Sequence, residues 1–534
     1  MSNQLVGLGV DLGSTEVRIG AYNLETNELI SIASKRVTYY DHGDRRFTQS
    51  SIEIIAAVIE CVGKLPIDVL NVRSCGVAAT CSLAVFYQDM TQGLKPYRLY
   101  GLDKDVHQNV VFWMDGSSTK QCAEINNSGG IELEYMGGSF IPEMGIPKLA
   151  SVLKGLKDVD NPLSLEVFDL HTYIAYEMAE RYHWDPSLLI NKPNWNGIGH
   201  DGEVKGWNND FYSRTLKPLG DFKIGPTRIK KIFSLVRVVS CIDCYSSWVA
   251  MCSAKSDESL FMAAGTSTCY IYANTKDQGC IPGVWGPFTN ILDGGEKPKW
   301  SVYEAGQSTT GKLLEHLFDT HPAARTYSKD RGLLFADIED AIEIIEAQCG
   351  QSVHLETKHM FTYGELQGNR TPFCDPHMSG MFIGENADTS FRDLVFKYVS
   401  VLEFLAFQTR HIKDCFKANV SDIRISGSQA RNTRLLSLIS LVNDLPVKIP
   451  AHRADLMGVK GAYLMGKAKH LDVNVVDIIA ENNSKSPTAY EINILGSLKN
   501  NQHLKKLLQI KYDIYLDMAE TQRKYRSMVD SCFA

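Results

Sequence analysis

Asp11-Leu12-Gly13-Ser14-Thr15 and Gly265-Thr266-Ser267-Thr268 are the two stretches that decide the fold of this chain. Each follows an apolar run of the kind that forms a buried strand, residues 5–11 in the first case and 260–264 in the second. Each also leads into a second apolar run, so both stretches predict a β-hairpin with a small polar turn. The repeat of strand, polar turn and strand indicates two lobes built in the same way.

The composition fits a folded protein with more than one domain. A chain of 534 residues is too long for one compact core, so two domains of comparable size are expected. With 44% hydrophobic and 22% charged residues, the chain is close to globular averages. The net charge is −7 and no stretch concentrates Lys and Arg, so we expect no nucleic-acid partner and no binding to an acidic membrane.

Cysteine usage favours a cytoplasmic protein. The 13 cysteines are an odd number without the spacing of a disulfide framework, which is typical of a reducing compartment. Residues 1–4 lead directly into an apolar strand, without the basic and apolar regions of a secretory signal. No apolar run reaches the length of about 20 residues that a membrane helix needs. A homodimer is compatible with these observations, but the sequence does not decide the oligomeric state.

The order of the predicted elements indicates an α/β fold with a mixed sheet. Apolar strands end in polar turns, as after residues 72–79 and 109–113. The polar stretch 253–259 is predicted to connect the two lobes. We therefore predict an N-terminal domain over residues 1–255 and a C-terminal domain over 256–534. The tail over 504–528 is amphipathic and is predicted to pack as a helix along the surface.

The first polar turn carries groups that phosphoryl transfer requires. This chemistry needs a cradle for phosphates, a divalent cation and a group that receives the proton of the attacking hydroxyl. Gly13 permits a tight turn, while Ser14 and Thr15 offer hydroxyl and amide donors to phosphate oxygens. Asp11 is suited to hold Mg²⁺, and Arg18 would neutralise charge on the transferred group. An ordinary hairpin turn with a capping aspartate would have the same sequence.

Asp243 stands between the two polar turns in sequence and is a candidate general base. In isolation, a helix cap or a buried hydrogen-bond acceptor would explain this residue as well. The flanking Cys241 and Cys244 have C-x-x-C spacing, but no second ligand pair and no thioredoxin-like setting accompany them. We interpret them as buried structural thiols. The order of the motifs, with a nucleotide cradle before and after Asp243, favours the catalytic interpretation.

Two hairpins facing one nucleotide are typical of the superfamily of sugar kinases, heat-shock ATPases and actin, which this chain resembles. Five further stretches, which span nearly the whole chain, narrow the resemblance: 109–115, 147–149, 282–287, 304–311 and 368–372. In these stretches the chain most resembles the FGGY family of carbohydrate kinases and its ribulokinase branch, with eukaryotic D-ribulokinase-like members. The resemblance implies two actin-like, ribonuclease-H-like domains with a cleft between them.

The resemblance also implies which residues contact the sugar. Asp243 would be the catalytic base. A Trp face covers the C–H side of a sugar, while Lys and carboxylates bind its hydroxyls. Trp113 as a core residue and Lys192 as a solvated loop charge stay open as alternatives. The expected sugar contacts are Ser82, Trp113, Asp115, Lys192, Asp243 and Glu304.

For ATP, the resemblance implies contacts from both polar turns and from two later segments. A helix N-terminus near phosphates is favourable because its amides and its dipole attract anions. Asn432 would present its side-chain amide to the base or the ribose, although it could equally be an ordinary helix N-terminal residue. The expected nucleotide contacts are Gly13, Ser14, Thr15, Arg18, Thr266, Gly306, Thr310, Gly427, Ser428 and Asn432.

The chain departs from the family pattern near the base and near adenosine. The family usually has two glycines where this chain has Gly427 and Ser428, so a Cβ at the second position would crowd adenosine. Ser240 and Ser247, on either side of Asp243, stand where the family usually has glycines. Ser117 stands where the family often has an Arg. These changes keep a second hypothesis open, a catalytically weak or inactive family member that acts as a sugar- or nucleotide-sensing regulator.

The sequence therefore predicts a carbohydrate kinase that uses ATP and Mg²⁺. Asp243 would deprotonate the terminal hydroxyl of an open-chain pentulose, with D-ribulose as the expected acceptor and D-ribulose 5-phosphate as the product. MgATP would bind mainly to the C-terminal lobe and the sugar mainly to the N-terminal lobe, and closure would exclude water. L-ribulose, D-xylulose and polyols stay alternatives, because they differ in hydroxyl stereochemistry that the sequence does not reveal.

Overall fold

The computed structural model describes most of the chain. The described residues are 4–89, 93–99, 107–156, 164–189, 209–228, 234–252, 259–276, 278–288, 300–416, 419–451, 453–485, 489–499 and 501–533. The predicted sugar contact Lys192 lies outside the described residues. Among those described, no helix combines the length and the apolar character needed to cross a membrane.

Strands and helices alternate over much of the chain, as expected for an α/β fold. The strands are β1 (Val6–Leu12), β2 (Glu16–Asn23), β3 (Leu29–Arg36), β4 (Tyr39–Asp41), β5 (Phe47–Gln49), β6 (Val72–Ala79), β7 (Leu83–Asp89), β8 (Gly93–Pro96), β9 (Val110–Val111), β10 (Leu165–Asp169), β11 (Phe222–Ile224), β12 (Arg237–Ile242), β13 (Ser259–Ala264), β14 (Thr268–Asn274), β15 (Trp285–Phe288), β16 (Ser301–Gln307), β17 (Phe361–Tyr363), β18 (Met381–Ile383), β19 (Asp422–Ser426), β20 (Val447–Pro450) and β21 (Ala489–Glu491). The helices are α1 (Ser51–Lys64), α2 (Thr119–Asn127), α3 (Glu132–Tyr135), α4 (Gly145–Leu156), α5 (Leu170–Tyr182), α6 (Asn209–Thr215), α7 (Asp243–Met251), α8 (Gly311–Thr320), α9 (Arg331–Cys349), α10 (Val353–Glu356), α11 (Phe391–Cys415), α12 (Thr433–Asn443), α13 (Met457–Leu471), α14 (Val475–Lys485) and α15 (Gln502–Asp530).

Contacts between Cα atoms divide the chain into two compact units. Unit 1 consists of Met1–Asp257, Ile271–Glu304 and Asp455–Thr488. Unit 2 consists of Glu258–Tyr270, Ala305–Ala454 and Ala489–Ala534. The first segment of unit 1 ends close to the predicted boundary at residue 255. The two later segments of unit 1, Ile271–Glu304 and Asp455–Thr488, lie within the continuous C-terminal domain predicted over residues 256–534.

The first sheet of unit 1 brings three strand ends to one edge. Its strand order is β12-β6-β1-β2-β3. β1 and β2 pair in antiparallel register with Asp11 opposite Arg18, which confirms the first predicted hairpin. β6 runs parallel to β1, and β12 runs parallel to β6. Because parallel strands end at the same edge, the sheet places Asp11 and Asp243, which directly follows β12, at that edge.

The second sheet of unit 1 carries the polar turn that follows β9. Its strand order is β11-β10-β7-β9-β5-β4, and β8 pairs with β7. Two backbone bonds of 3.0 Å fix the turn, from Phe112 N–H to the carbonyl oxygen of Phe47 and from Asp115 N–H to that of Phe112. Trp113 packs against Phe112, with Tyr39 and Phe47 alongside. The turn is therefore held rigidly by the sheet.

Glycines let helix α13 approach β1, β6 and α7 at backbone distance. A Cβ at Gly9 on β1 would lie 2.0 Å from the carbonyl oxygen of Val459, and one at Gly76 on β6 would lie 1.8 Å from that of Ala462. A Cβ at Gly461, on the helix itself, would lie 1.7 Å from a carbonyl oxygen of α7. Only residues without a side chain fit at these three contacts.

The sheet of unit 2 contains the second hairpin. β13 pairs in parallel with β19, β19 in parallel with β20, and β20 antiparallel with β21. The first residues of β14 lie on the other side of β13. Gly265 N–H donates to the carbonyl oxygen of Ser267 at 2.9 Å and closes the turn between β13 and β14. This geometry confirms the second predicted hairpin.

Helix α15 confirms the predicted C-terminal helix, but it does not lie only on the surface. Its Lys511 is buried and ion-paired with the buried Glu403 of α11, and Lys511 Nζ also donates to the carbonyl oxygen of Thr357 at 3.0 Å. His354 Nδ1 lies 2.7 Å from Glu403 Oε1. Burial raises the pKa of Glu403, but Lys511 and His354 outweigh burial and hold that pKa below its ordinary value.

The buried ion pair predicts a large loss of stability when Lys511 is removed. We expect Lys511→Met to lower the free energy of unfolding by about 3–5 kcal/mol, because the Glu403 carboxylate would be buried without its charge partner. The matched control is Lys505→Met on the same helix, since the exposed pair of Lys505 and Asp444 is worth at most about 1 kcal/mol. Urea unfolding of both variants measures the difference, and equal losses would contradict the prediction.

Candidate active site

Asp243 lies at the first position of α7, immediately after β12. Its Oδ1 accepts the backbone N–H of Cys244 at 2.8 Å. Burial and the nearby charge of Asp11 raise the pKa of the Asp243 carboxyl to about 7, although the Cys244 amide lowers it. An ordinary aspartate has a pKa of about 4, and a group whose pKa is near the working pH transfers protons more effectively. Both position and basicity fit the predicted role of general base.

Asp11 and Arg18 face each other across the first hairpin. Arg18 Nη1 is 3.4 Å from Asp11 Oδ2, and the same nitrogen donates to the carbonyl oxygen of Asp455 at 2.9 Å. Arg18 Nε donates to Glu16 Oε2 at 2.9 Å. Burial raises the pKa of Asp11 to about 6, although Arg18 lowers it. The guanidinium is therefore held by three protein oxygens, and any contact with a transferred phosphate would be shared with these bonds.

The carboxylates of Asp11 and Asp243 carry more negative charge at this end of the sheet than Arg18 neutralises. Asp11 raises the pKa of Asp243, so Arg18 does not balance both negative charges. Mg²⁺ prefers hard carboxylate oxygens together with water. The donor set around Asp11 therefore fits Mg²⁺, and a bound cation would favour the ionised form of both aspartates.

Gly458 lies at the start of α13, directly beside the Asp11 carboxylate, and its lack of a side chain makes space for that carboxylate. A Cβ at residue 458 would lie 2.6 Å from Asp11 Cγ and 2.7 Å from each carboxylate oxygen. Ser246 Oγ, in α7, donates to the carbonyl oxygen of Gly458 at 2.6 Å. The first turn of α13 thus touches both elements that carry an aspartate. Sequence reasoning missed this residue, although the glycine spacing over 458, 461 and 466 was an available signal.

Trp113 connects the predicted sugar side to the first hairpin. Its indole Nε1 donates to Ser14 Oγ at 3.0 Å. Lys148, fully buried, donates from Nζ to the carbonyl oxygens of Phe112 and Trp113, each at 2.8 Å. Trp113 is therefore packed like a core residue and linked to a predicted nucleotide contact. Lys148 was not predicted as part of the site, and the signal for it was a lysine inside the apolar stretch 146–150.

Asp115 and Ser82 are both buried and hydrogen-bonded within unit 1. Asp115 Oδ2 accepts the backbone N–H of Phe47 at 2.8 Å, and its Oδ1 accepts Ser117 Oγ at 2.7 Å. Ser82 Oγ lies 3.0 Å from Thr80 Oγ1. Asp115 therefore shapes the turn after β9, with Ser117 in the position where the family often has an Arg. Sugar contacts by Asp115 and Ser82 stay predictions.

Glu304 on β16 is buried against the first turn of α7. Tyr245 OH donates to Glu304 Oε2 at 2.5 Å, and Cys244 Sγ lies 4.0 Å from Glu304 Oε1. Both partners directly follow Asp243, so one helix start carries the predicted base and the groups that hold a predicted sugar contact. Tyr245 was missed, because a tyrosine on an apolar helix has the sequence character of a core residue.

In unit 2, the turn between β13 and β14 rests on the start of α8. Thr310 N–H donates to the carbonyl oxygen of Thr266 at 2.9 Å, and Gly311 N–H donates to that of Gly265 at 3.0 Å. Thr310 Oγ1 lies 2.7 Å from the buried Thr268 Oγ1. These two backbone N–H groups therefore fix the turn through its carbonyl oxygens. Contacts of Thr266, which is partly exposed, and of Thr310 with ATP stay predictions.

Gly13 and Gly265 leave open space beside the two hairpin turns. A Cβ at Gly265 would meet no atom within 4 Å, and one at Gly13 would meet only the carbonyl oxygen of Glu16 at 3.9 Å. Neither glycine has a positive φ. Gly13 N–H donates to the carbonyl oxygen of Glu16 at 3.0 Å and closes the first turn, as a tight turn requires. Contacts of Gly13, Ser14 and Thr15 with phosphate stay predictions.

Gly306 is buried and paired with Thr371. Its N–H donates to Thr371 Oγ1 and its carbonyl oxygen accepts Thr371 N–H, each at 3.2 Å. Ser308 Oγ donates to the carbonyl oxygen of Gly368 at 3.0 Å. The family-like stretches 304–311 and 368–372 are thus hydrogen-bonded to each other. A direct contact of Gly306 with the nucleotide stays a prediction.

The segment after β19 contains a glycine that no other residue could replace without strain. Gly427 has a φ of 89°, and a Cβ there would lie 2.4 Å from the carbonyl oxygen of Ala264. The neighbouring Ser428 is exposed. Asn432 Oδ1 accepts a backbone N–H of α12 at 3.0 Å, and its Nδ2 donates to Tyr398 OH at 3.1 Å. Asn432 therefore caps α12, the alternative left open by the sequence, and its contact with adenosine stays a prediction.

Ser240 has a structural role close to the base. Its Oγ lies 3.0 Å from His171 Nδ1, and His171 Nε2 lies 3.9 Å from Asp169 Oδ2. All three side chains are buried. This polar link joins β12 to the β10–α5 junction. Ser247 is partly buried, and the effect of either serine on activity is a prediction still to be tested.

The two hairpin turns and Asp243 at the end of β12 are the features that the sequence led us to expect of a nucleotide-dependent phosphotransferase, and comparisons with known proteins support that class. Residues 260–466 match the C-terminal domain of the FGGY family of carbohydrate kinases. Protein MPA43 of Saccharomyces cerevisiae is 44% identical over 100% of this chain and 99% of its own length. D-ribulokinase YDR109C of the same yeast is 31% identical over 87% of this chain and 72% of its own length. The solved structure of gluconate kinase from Lactobacillus acidophilus has a TM-score of 0.69 at 13% identity, over 98% of this chain and 100% of that chain.

This chain belongs to the FGGY family of carbohydrate kinases. It is a phosphotransferase with a small-molecule sugar as substrate and ATP as cosubstrate. The family and the two-domain, actin-like α/β fold predicted from the sequence are confirmed. The individual contacts of sugar and nucleotide stay predictions.

The contact between Gly458 and Asp11 predicts a loss of turnover on adding one methyl group. We expect Gly458→Ala to lower kcat by about 10- to 100-fold, since displacement of a reacting group by about 1 Å has effects of this size. Gly63→Ala in α1 is the matched control, because a Cβ there meets no atom within 4 Å. Steady-state ADP release measures kcat, and circular dichroism checks the fold. Wild-type turnover in Gly458→Ala would contradict the prediction.

The raised pKa of Asp243 predicts the acid limb of the pH profile. We expect kcat/KM for the sugar to rise with pH through about 7, because Asp243 must be ionised to accept a proton. Arg18→Met should move this limb to higher pH, because Arg18 favours the ionised carboxylate. The exposed Arg36→Met on β3 is the control. If the acid limb of Arg18→Met lies at the same pH as that of the wild type, the assignment of this limb to Asp243 under the influence of Arg18 would be contradicted.

Proposed function

We propose that this enzyme phosphorylates the terminal hydroxyl of a pentulose, with D-ribulose as the acceptor and D-ribulose 5-phosphate as the product. The observation that carries the proposal is Asp243, a carboxyl with a pKa of about 7 at the end of β12, beside Asp11. The choice of D-ribulose is supported by the 31% identity to a yeast D-ribulokinase.

In the proposed reaction, Asp243 orients the terminal hydroxyl and accepts its proton. The hydroxyl oxygen forms a bond to the γ-phosphorus of ATP, and the bond from that phosphorus to the bridging oxygen of ADP breaks. The proton stays on the Asp243 carboxyl until solvent removes it. Because proton transfer accompanies phosphoryl transfer, orientation of the hydroxyl contributes more than the basicity of the carboxylate alone.

Asp11 is the residue that would hold Mg²⁺. Its carboxylate would share the ion with phosphate oxygens and water. When bound, the ion supplies positive charge that stabilises the phosphoryl group during transfer. Arg18 keeps the Asp11 side chain in place from the opposite strand of the hairpin.

The sugar would lie against Trp113 and Glu304, and the phosphates of ATP against the two hairpin turns. The open space at Gly13 and Gly265 supports this assignment for the phosphates. Tyr245 would keep the Glu304 carboxylate oriented towards sugar hydroxyls. Ser82, Asp115 and Lys192 complete the proposed sugar contacts by resemblance to the family. Gly306, Thr310, Gly427, Ser428 and Asn432 complete the proposed nucleotide contacts on the same basis.

We also propose a cytoplasmic location. The location is supported by the cysteine content, an odd number of 13 without the spacing of a disulfide framework. A homodimer is a further proposal, which a measurement of the molecular mass in solution would test.

The role of Asp243 predicts the behaviour of its amide variant. We expect Asp243→Asn to lower kcat by about 10²–10⁴, the range typical of a general base, while KM for the sugar changes little. Asp221→Asn, at an exposed position of unit 1, is the matched control. Near-wild-type turnover of Asp243→Asn would exclude this residue as the base.

The substrate is tested by ADP release from MgATP with a panel of acceptors. D-ribulose, L-ribulose, D-xylulose, pentitols and glycerol are compared, with Asp243→Asn alongside. Selective turnover of D-ribulose that is lost in Asp243→Asn would support the whole proposal. Selective turnover of another acceptor would keep the kinase and reject D-ribulose. ATP binding without turnover of any acceptor would favour the sugar- or nucleotide-sensing regulator.

A further inference from the structure

The C-terminal helix α15 reaches the interior of unit 2 through Tyr515. This side chain is 1% exposed, although the surrounding helix is rich in charge. Its ring packs against those of Tyr363 and Phe404, at centroid distances of 5.5 Å and 6.0 Å. A tyrosine hydroxyl in such a place needs a partner, because an unbonded buried hydroxyl is costly.

The Tyr515 hydroxyl begins a chain of buried hydrogen bonds. It donates to Gln408 Oε1 of α11. Gln408 Nε2 in turn donates to the carbonyl oxygen of Thr371 at 2.9 Å. Gln408 and Thr371 are both fully buried. The orientation of the Gln408 amide is therefore fixed by Tyr515 on one side and by Thr371 on the other.

Thr371 is in turn hydrogen-bonded to the segment 306–310, which precedes α8. Its N–H and Oγ1 pair with the carbonyl oxygen and N–H of Gly306. Three residues later in this segment, Thr309 Oγ1 donates to the carbonyl oxygen of Gly364 at 3.1 Å. The next residue, Thr310, directly precedes α8, and its N–H donates to the carbonyl oxygen of Thr266. Hydrogen bonds thus link α15 to Gly306, and the backbone of residues 306–310 connects Gly306 to the second hairpin.

The end of α15 holds the loop around Thr371 independently. Gln522 and Ser379 exchange two hydrogen bonds of 2.7 Å, one in each direction. Arg526 makes two contacts to the Asp375 carboxylate. The backbone of Asp375 exchanges two bonds of 2.9 Å with that of Asn369. α15 therefore holds this loop at Asp375 and Ser379, and Asp375 in turn holds Asn369.

We propose that Tyr515 is a positioning residue for ATP, acting through Gln408 and Thr371 on the segment 306–310 and the Thr266 turn. The proposal rests on the proposed binding of ATP phosphates at that turn. Tyr515 makes no contact with the reacting atoms in this scheme. It reduces the freedom of the backbone that meets the nucleotide, so less ordering is needed when ATP binds. The proposed sugar contacts among the described residues lie in unit 1, with Glu304 on the same strand as Gly306.

The test compares Tyr515→Phe with Tyr512→Phe. Phe keeps the aromatic packing of either residue and removes only the hydroxyl. Tyr512 lies one turn earlier on α15, and its hydroxyl donates to Asp414 at 3.4 Å, away from Gln408. For each variant, the Kd for ATP is measured by calorimetry without sugar. The KM values for ATP and for the sugar, kcat and the unfolding temperature are measured on the same preparations.

We expect Tyr515→Phe to raise both the Kd and the KM for ATP by about three- to ten-fold, the size of one neutral hydrogen bond. The KM for the sugar should stay within about two-fold, and Tyr512→Phe should match the wild type. Gln408→Leu, which removes the middle of the relay, should raise the same ATP parameters.

Unchanged ATP affinity in Tyr515→Phe would overturn the inference. So would an equal rise in Tyr512→Phe, or parallel rises in both KM values with a lowered unfolding temperature, because these indicate a general loosening. Wild-type protein that binds ATP without turning over any sugar would reject the proposed kinase reaction, whereas the calorimetric comparison would still decide the role of Tyr515.

Discussion

The close packing of α13 on β1, β6 and α7 is the constraint on which the catalytic unit depends. Asp11 ends β1 and Asp243 begins α7, so their relative position is set by whatever holds these two elements. α13 contacts both at backbone distance, through Gly9 on the strand and Gly461 on the helix. Backbone contacts of this kind admit little adjustment, because neither side has a flexible side chain that could move. The separation of the two aspartates is therefore fixed by steric exclusion.

Charge and burial then give the two aspartates their chemistry. Both lie at the same edge of the sheet, and Arg18, which also pairs with Glu16, lowers the pKa of each. Many other polar residues of the predicted site are satisfied by protein groups. Asp115 accepts donors from Phe47 and Ser117, and Asn432 caps a helix. Unbalanced charge therefore distinguishes Asp11 and Asp243 from the polar residues around them.

Local sequence was sufficient for the parts of the fold that are themselves local. Both hairpins could be predicted, since each is a strand, a short turn and a strand in immediate succession. The role of Asp243 as general base rests on motif order and family resemblance, and it stays a prediction. The return of residues 455–488 to unit 1 could not be predicted, because it depends on glycines that face each other only in three dimensions. Lys148 and Tyr515 were missed for the same reason, since burial of a polar side chain depends on distant partners.

Unit 1 is assembled from segments at opposite ends of the chain, and this has a consequence for how the protein is made. A ribosome that has synthesised β1, β6 and α7 has not yet synthesised α13 (Met457–Leu471), which follows α7 only after the strands and helices from β13 to β20. Until then, the glycine-lined surfaces that receive this helix have no partner. The nascent chain therefore cannot complete unit 1 by folding its N-terminal segment first, as many two-domain proteins do. Completion of unit 1 waits for the synthesis of most of unit 2.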